Sequence, residues 1–384
     1  MIRIAAAALL AVALPLHAAR VRVVVAVDVP RIAAASASAL RTGVMASLDT
    51  ATSIEPWGSG SVFAAEIDSA ELERLRGDAR VRAISIDDGG SGALLESAKI
   101  IGADTAHDLG FDGRGVTVAV LDTGIDATHP DFAGRIVAQR CYCANLDGSG
   151  CCPDGEPMQI GVASARDDHG HGTHVAGIVA GGGANAPPGI APRANIVAVK
   201  VMDENNTFSS FTQIYRALDW IATSRHDVKV INASLGSRTL FSSSACGNSA
   251  VALGLREVIA KLRARGVLIV ASAGNEGSLN STTLPACIQD VIGVGATYDS
   301  PGPHAAFCFE PSTYVDEIAC FSNTSEAVDF VAPGADIVSS KRGGGWIKYA
   351  GTSMAAPHVA GTIALIQQAS GSRLTAEAVE AILE

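Results

Sequence analysis

Residues 116–126 read Val-Thr-Val-Ala-Val-Leu-Asp-Thr-Gly-Ile-Asp, an apolar run that ends in an aspartate and a turn. Such a run predicts a strand that is buried on both faces of a parallel sheet. Four more apolar runs follow, at residues 194–201, 228–235, 267–272 and 291–296. Helical patterns lie between some of these runs, at residues 212–223 and 251–265. Strands that alternate with helices predict a layered α/β fold with a mainly parallel central sheet.

Three segments place a polar side chain where a strand ends or a helix begins. Asp122 closes the first strand. Residues 167–177, Asp-Asp-His-Gly-His-Gly-Thr-His-Val-Ala-Gly, place His171 at the start of a helix rich in small residues. Residues 351–361, Gly-Thr-Ser-Met-Ala-Ala-Pro-His-Val-Ala-Gly, place Ser353 at a helix N-terminus, where free N–H groups favour an oxyanion. Ligand sites collect at the carboxyl ends of parallel strands, so we expect these side chains to face one crevice.

Each of these residues also has a plain structural explanation: a turn cap for Asp122, a packed ring for His171 and a helix cap for Ser353. Together they supply a nucleophile, a base that takes its proton, and a carboxylate that orients the base. A catalytic metal on His169, His171 and His174 is disfavoured. The zincin pattern needs two histidines four residues apart with a glutamate between them, and this stretch has neither.

The three segments resemble those of the subtilases, the subtilisin-like serine proteases, and they occur in that family's order of Asp, His and Ser. The resemblance covers nearly all of the chain after residue 95. It implies a subtilisin-like α/β/α catalytic domain over residues 91–384. It also implies a triad of Asp122, His171 and Ser353 that hydrolyses polypeptides through an acyl-enzyme intermediate. The alternative is a catalytically silent subtilase fold used as a binding module, which is disfavoured because no triad residue is missing.

The resemblance also implies an oxyanion site and a substrate pocket. Residues 271–277, Ala-Ser-Ala-Gly-Asn-Glu-Gly, are similar to the family's oxyanion-hole segment. Asn275 would donate its side-chain amide beside the backbone N–H of Ser353, although a local turn also explains this asparagine. The implied walls of the first specificity pocket are Ser234, Leu235, Gly236, Ala271, Ser272, Ala273 and Gly274. Because these walls are small, we expect a large uncharged side chain before the cleaved bond, with Glu276 at the rim able to accept a basic one.

Residues 20–90 have the pattern of a separate small domain. Their order, β-α-β-β-α-β with one strand unclear, predicts a ferredoxin-like α+β fold. Ser69 is expected to cap the second helix, at residues 70–76. A Gly-rich joint at residues 87–92 follows. The resemblance implies that this domain is a propeptide that inhibits its own enzyme, with self-cleavage between Asp88 and Glu96. A permanent accessory domain is the alternative.

The N-terminus has the pattern of a secretory signal. Arg3 precedes an apolar run at residues 4–16, and small residues follow up to Ala19. The run is too short to span a bilayer, so residues 1–19 are expected to be removed on export. An N-terminal membrane anchor is the alternative. We expect a secreted protein, extracellular or periplasmic, with no stable membrane insertion after the signal is removed.

The cysteine pattern agrees with export. The chain has eight cysteines, at Cys141, Cys143, Cys151, Cys152, Cys246, Cys287, Cys308 and Cys320. An even number in an oxidising compartment predicts up to four disulfides. A bridge between Cys308 and Cys320 would close a short loop. A bridge between Cys246 and Cys287 would close a longer one. The first four predict two bridges across a turn, and a zinc knot is disfavoured because the spacing is not a pair of C-x-x-C units. The insert at residues 141–152 is expected to stiffen a loop near the cleft.

The composition and the motifs that the sequence lacks exclude two classes of ligand, nucleic acids and nucleotides. A net charge of −11 argues against a nucleic-acid binder. No predicted strand leads into G-x-G-x-x-G or a Walker A segment, which disfavours a nucleotide-dependent enzyme. We expect a monomer that needs no cofactor for catalysis. Asp131 matches a position that binds calcium in relatives, but residues 181–189 offer few oxygen side chains to share the ion. A structural Ca²⁺ elsewhere is compatible with the acidic composition, because hard oxygen ligands are plentiful.

Overall fold

The computed structural model describes residues 20–27, 34–56, 61–86, 93–145 and 147–384. The chain divides into two compact units, Met1–Gly90 and Ser91–Glu384. The predicted signal and the Gly-rich joint lie outside the described residues. In the part of the chain that is described, no helix is long and apolar enough to cross a bilayer.

The N-terminal unit has the predicted β-α-β-β-α-β order. Its elements are β1 (Arg20–Val27), α1 (Ala34–Met45), β2 (Ser53–Pro56), β3 (Val62–Asp68), α2 (Ser69–Arg76) and β4 (Val81–Ile86). The strands form one antiparallel sheet in the order β2-β3-β1-β4. The strand that the sequence left unclear is β2, whose four residues Ser-Ile-Glu-Pro carry little apolar signal. Val23, Val25, Phe63, Ile67 and Leu75 are among the residues of its core.

One detail of this unit differs from the sequence-based expectation. The cap of α2 is Asp68, whose carboxylate accepts a hydrogen bond from the Glu71 backbone N–H at 2.9 Å. Ser69, the expected cap, is the first helical residue. Both residue types cap helices well, so the backbone conformation at the end of β3 decides between them.

The C-terminal unit contains all the remaining elements. Its strands are β5 (Thr117–Asp122), β6 (Ile136–Tyr142), β7 (Met158–Ile160), β8 (Asn195–Lys200), β9 (Val228–Ala233), β10 (Leu240–Phe241), β11 (Leu268–Ser272), β12 (Thr282–Thr283), β13 (Ile292–Thr297), β14 (Gly302–His304), β15 (Glu310–Thr313), β16 (Phe330–Pro333), β17 (Ile337–Ser340) and β18 (Trp346–Tyr349). Its helices are α3 (Ala93–Ile100), α4 (Ala103–Asp108), α5 (His171–Ala180), α6 (Phe211–Ser224), α7 (Ser243–Gly247), α8 (Ala250–Arg263), α9 (Thr352–Ala369) and α10 (Ala376–Leu383).

The core of this unit is an eight-stranded sheet in the order β16-β13-β11-β9-β5-β8-β6-β7. Only β7 runs antiparallel to its neighbour, which confirms the mainly parallel sheet. Alternate residues of β5 enter different cores, because side chains along a strand point to opposite faces. Val118 and Val120 pack in the core that includes α5 and α9. Ala119 and Leu121 pack in the core that includes α6 and α8, so the sheet lies between two helical layers.

Four disulfides link the eight cysteines, and no cysteine is free. The two bridges predicted from spacing, Cys246–Cys287 and Cys308–Cys320, are present. The insert holds two nested bridges, Cys141–Cys152 and Cys143–Cys151. Since all four sulfurs of the insert are paired, the zinc knot is excluded.

Candidate active site

The carboxyl edge of the parallel sheet carries the predicted catalytic side chains. Asp122 is the last residue of β5, His171 the first of α5 and Ser353 the second of α9. Each of the two helices follows a glycine with positive φ, Gly170 at 118° and Gly351 at 143°. L side chains rarely adopt such angles, so both helix starts depend on glycine.

Close packing of α5 on β5 also depends on a glycine. A methyl group on Gly172 would lie 3.0 Å from Asp122 Oδ1 and 2.1 Å from the carbonyl oxygen of Gly124. No larger residue fits there without moving the helix away from the strand. The small residue after His171 therefore sets the distance between the histidine and the aspartate.

The His171 ring is hydrogen-bonded to Asp122, with 2.7 Å between Nδ1 and Oδ1. Asp122 is fully buried and His171 is 8% exposed. With Nδ1–H donating to the carboxylate, Nε2 is left as the proton acceptor. The second carboxylate oxygen of Asp122 has no hydrogen-bond partner among the described residues.

A second buried carboxylate, Asp167, ties the strand end to the helix start. It accepts hydrogen bonds from Thr123 Oγ1 at 2.9 Å, from Gly170 N at 2.8 Å and from Thr173 N at 3.0 Å. Burial acts to lower the pKa of His171, but the charges of Asp122 and Asp167 and the hydrogen bond to Asp122 raise that pKa above its usual value. Sequence reasoning gave Asp167 no role; its only signal was its place just before the helix.

Ser353 is held by Ser234. The Ser353 hydroxyl lies 3.4 Å from the Ser234 carbonyl oxygen, and Ser234 Oγ donates to the Ser353 carbonyl at 2.8 Å. Asn232 Nδ2 in turn donates to Ser234 Oγ at 2.9 Å. Within the described residues, the Ser353 hydroxyl makes no hydrogen bond to His171. The structure thus joins two of the three predicted residues directly, and in proteins without substrate such catalytic bonds are often long.

Asn275 lies against the start of α9. Its Oδ1 accepts hydrogen bonds from the Thr352 backbone N–H at 2.8 Å and from the Thr352 hydroxyl at 2.9 Å. These two donors identify the oxygen of the amide, so the NH₂ group faces the other way. A methyl group on Gly351 would lie 3.3 Å from Asn275 Nδ2. The amide is thereby fixed beside the segment that carries Ser353.

A cavity of about 710 Å³ extends from Ser353 along one predicted wall. Of the predicted pocket residues, Ser234, Leu235 and Gly236 line this cavity. The others do not line it: Ala271, Ser272 and Ala273 are buried and Gly274 lies outside its lining. Phe208, Phe241 and Leu284 line it as well, and sequence reasoning missed them because they come from loops and short strands without a motif.

The disulfide-bonded insert contacts this cavity, as the sequence predicted. The carbonyl oxygen of Ala144 accepts hydrogen bonds from Ser209 Oγ at 2.6 Å and from Gln213 Nε2 at 2.7 Å. Ala144 and Asn145 are part of the cavity lining. The insert is thus bonded to the segment that forms the far side of the cleft.

The histidine considered as a metal ligand one turn after His171 is hydrogen-bonded to the protein backbone. His174 Nε2 donates to the carbonyls of Ile337 and Ile347 at 3.0 and 3.1 Å, and burial lowers its pKa to about 3. Across the described ranges, no group of three or more His, Cys, Asp or Glu is arranged to hold a metal ion.

The buried carboxylate of Asp131 also has partners of its own. It accepts hydrogen bonds from Ala184 N and Asn185 N at 2.7 and 2.8 Å, and from Ser340 Oγ at 2.7 Å. These donors occupy the oxygens that a Ca²⁺ would need, so Asp131 and the loop do not fit a calcium site. A Ca²⁺ elsewhere stays a prediction.

Comparison with known proteins agrees with this geometry. The model of the subtilase family matches residues 113–384. The chain is 36% identical over 271 residues to subtilisin Savinase of Lederbergia lenta, covering 70% of this chain and 82% of that protein. It is 33% identical over 279 residues to the major intracellular serine protease of Bacillus subtilis (strain 168), covering 71% of this chain and 75% of that protein. A solved cold adapted subtilisin-like serine proteinase matches with a TM-score of 0.53 and 31% identity, over 71% of this chain and 82% of that one. The chain belongs to the subtilase family and is a serine-type endopeptidase.

Proposed function

We propose that the chain hydrolyses polypeptides through a triad of Asp122, His171 and Ser353. The observation that carries this proposal is the 2.7 Å hydrogen bond between His171 Nδ1 and Asp122. It holds the tautomer in which Nε2 is free to take the serine proton. Ser353 Oγ then attacks the carbonyl carbon of the peptide bond to be cleaved. His171 passes the proton to the leaving amine as the C–N bond breaks, which leaves an acyl-enzyme on Ser353. A water molecule, deprotonated by the same imidazole, hydrolyses the acyl-enzyme and regenerates the serine.

The tetrahedral intermediates carry a negative oxygen that needs donors. We assign these to the Asn275 side-chain amide and the Ser353 backbone N–H. The position of Asn275 against Thr352 supports the first donor, and the helix N-terminus supports the second. No metal or other cofactor is needed for this chemistry.

We propose that residues 20–90 act as an intramolecular inhibitor until the chain cleaves itself between Asp88 and Glu96. Support comes from the boundary between the two compact units, which falls at Gly90. All eight cysteines lie in the second unit, which suits a part that persists after processing. N-terminal sequencing of the active product tests this directly. An active product that still begins before residue 80 would leave the accessory-domain alternative.

Export is part of the proposal. The apolar stretch within residues 1–19 and the four disulfides both favour an oxidising compartment outside the cytoplasm. Two relatives are named as intracellular serine proteases, so family membership by itself does not place this chain. Fractionation of the producing cells decides: mature protein outside the cytoplasm is expected, and full-length protein in the cytosol contradicts export. We expect the secreted product to be a monomer.

A fluorophosphonate probe tests the assignment of the nucleophile. The wild-type protein should be labelled, whereas Ser353→Ala should stay unlabelled and full length. Ser244→Ala, which changes an exposed serine, is the matched control and should be labelled like the wild type. Labelling of Ser353→Ala would show that another residue is the nucleophile. Casein hydrolysis by the wild type distinguishes the enzyme from a silent binding module.

A further inference from the structure

A second cavity, of about 450 Å³, lies between the segment after β5, the segment before α5 and the turn that joins β17 to β18. Four charged side chains line it: Asp126, Arg166, Asp167 and Arg342. None of these residues lines the cavity that reaches Ser353, so the two cavities have separate walls. The triad mechanism gives the second cavity no role.

The two carboxylates of this cavity are already engaged by the protein. Asp167 is buried and accepts the hydrogen bonds described above. Asp126 Oδ2 accepts a hydrogen bond from the Gly343 backbone N–H at 2.8 Å, and Asp126 Oδ1 accepts one from Thr128 Oγ1 at 2.6 Å. Burial acts to raise the pKa of Asp126, but these hydrogen bonds lower that pKa below its usual value. A ligand could use either carboxylate only by displacing its present donors.

The two guanidinium groups, in contrast, are available to a ligand. Arg166 and Arg342 are exposed, and among the described residues neither forms a side-chain hydrogen bond or an ion pair. Each guanidinium has five N–H donors in a planar fork that matches the two oxygens of a carboxylate. Apolar side chains complete the lining, at Ile125, Ala127 and Ala163. The cavity therefore favours an anionic group on a short apolar stem, although the chain as a whole has a net charge of −11.

The turn that carries Arg342 is fixed at two points. The Gly343 backbone N–H donates to Asp126, as above, and His129 Nε2 donates to the Gly345 carbonyl at 3.0 Å. These bonds hold the turn against the segment after β5. The wall of the cavity is thus formed before a ligand arrives, which lowers the entropic cost of binding.

The cavity is close to the catalytic histidine. A methyl group on Gly170, the residue before His171, would lie 3.6 Å from Arg342 Cβ and 3.8 Å from the Tyr349 hydroxyl. An extended polypeptide advances about 3.3–3.6 Å per residue. A substrate whose cleaved bond lies between His171 and Ser353 can therefore reach Arg342 with a side chain only a few residues away from that bond.

We propose that Arg166 and Arg342 form a binding site for an acidic side chain of the polypeptide substrate, a few residues away from the cleaved bond. This inference rests on the proposed function, since it takes His171 and Ser353 as the place of cleavage. The carboxylate would bind the two guanidinium forks. Because this contact is equally strong before and during the chemical step, it should lower KM and leave kcat unchanged.

The test uses internally quenched peptides of one sequence that carry a single glutamate or glutamine at one of the positions two to six residues from the cleaved bond, on either side. At one position or at two neighbouring ones, the wild type should show a KM about 5-fold lower for glutamate, as two exposed ion pairs allow. The gain should fade as the NaCl concentration rises from about 0.05 M to about 0.5 M. Mass spectrometry of the products checks that the same bond is cleaved throughout.

Variants assign the gain to the two arginines. Arg166→Gln and Arg342→Gln should each reduce it, and the double variant should abolish it without changing KM for the glutamine peptide. Both residues are exposed, so the variants should fold like the wild type. Arg373→Gln changes an exposed arginine beyond the C-terminal end of α9, far from Ser353 at its start, and should keep the gain in full.

The outcomes separate this inference from the proposed function. The absence of a glutamate gain at every position, or a gain that persists in the double variant, overturns the inference alone. Titration calorimetry of Ser353→Ala with inorganic phosphate adds a second arm. Phosphate binding that the double variant loses, without a glutamate gain in the kinetics, would assign the cavity to small anions and overturn the inference. A wild type that cleaves no peptide and resists the fluorophosphonate probe overturns the proposed function and this inference with it.

Discussion

Thr352 donates two hydrogen bonds to Asn275 Oδ1, from its backbone N–H at 2.8 Å and from its hydroxyl at 2.9 Å. This pairing joins a residue after β11 to the first turn of α9, and it fixes which end of the amide faces the cleft. The donor proposed for the oxyanion is therefore oriented by the residue that precedes the proposed nucleophile.

The first prediction concerns this pair. Asn275→Leu should lower kcat by about 10²–10³-fold with little change in KM, because the amide acts mainly in the transition state. Thr352→Val keeps the backbone bond and loses the hydroxyl bond, so a smaller loss of about 10-fold in kcat is expected. Steady-state kinetics on one peptide substrate measures both. Unchanged kcat in both variants would remove Asn275 from the oxyanion site.

The second prediction concerns pH. His171 acts as a base only when neutral, so kcat/KM should fall as the pH drops through the pKa of its imidazole. Burial acts to lower that pKa, but the charge of Asp122, the hydrogen bond to Asp122 and the charge of Asp167 together raise it above its usual value. The acid limb of the profile should thus lie above the usual histidine value of about 6.5.

Asp167→Asn tests the smallest of these causes, the charge of Asp167. Removing its charge should move the acid limb to lower pH while the tautomer held by Asp122 is kept. An acid limb in Asp167→Asn at the wild-type position would show that this carboxylate does not act on His171.

Asp122→Asn serves as a comparison. It should lower kcat by about 10⁴-fold, because the ring then loses the partner that holds its tautomer.

The third prediction concerns stability in acid. Burial lowers the pKa of His174 to about 3 and that of His358 to about 4. Between pH 6.5 and pH 4 the unfolded chain binds protons at these rings and the folded chain does not. Stability should therefore be fully present above pH 6.5 and fall on acidification, by up to about 1.4 kcal/mol per pH unit for each ring.

Urea unfolding of Ser353→Ala at several pH values between 4 and 7 measures this slope without self-digestion. Adding His358→Asn should make the slope shallower. His226→Asn, at an exposed histidine, is the control and should leave the slope unchanged. A slope that persists in full without His358 would assign the acid sensitivity to other groups.

The fourth prediction compares two disulfides. Cys246–Cys287 spans 41 residues and Cys143–Cys151 spans 8. If each bridge stabilises by restricting the unfolded chain, replacing the first pair with serines should cost about 4 kcal/mol and the second at most about 2.5 kcal/mol. The Cys141–Cys152 bridge still encloses the loop between Cys143 and Cys151, so losing the inner bridge should lower the free energy of unfolding by less than this. Denaturant unfolding of the two double variants measures the order, and a reversed order would show that local strain or packing dominates.

The buried strands of the parallel sheet could be predicted from the sequence, because each is encoded by a run of neighbouring apolar residues. The five strands predicted from apolar runs occur within two residues of their expected ends, since each run is bounded by turn residues. The strand β2 gave no such signal, because its Ser-Ile-Glu-Pro pairs with β3 through backbone bonds that do not depend on apolar side chains.

The candidate site divides in the same way. Asp122, His171, Ser353 and Asn275 lie in short motifs whose residue types already indicate their chemistry. The parts played by Asp167 and Thr352 follow from hydrogen bonds to residues 44 and 77 positions away, and no local pattern reports them.

Sequence alone determined the α/β architecture, the family motifs and the identity of the groups proposed for catalysis, because strand burial and helix starts are encoded within about ten neighbouring residues. Tertiary structure decided the shape of the specificity pocket. Small walls predicted a pocket between two segments, yet the cavity beside Ser353 is lined by the first segment and by Phe208, Phe241 and Leu284, and not by the second. The volume left between two segments depends on every side chain that the fold brings there, and only the folded chain places them.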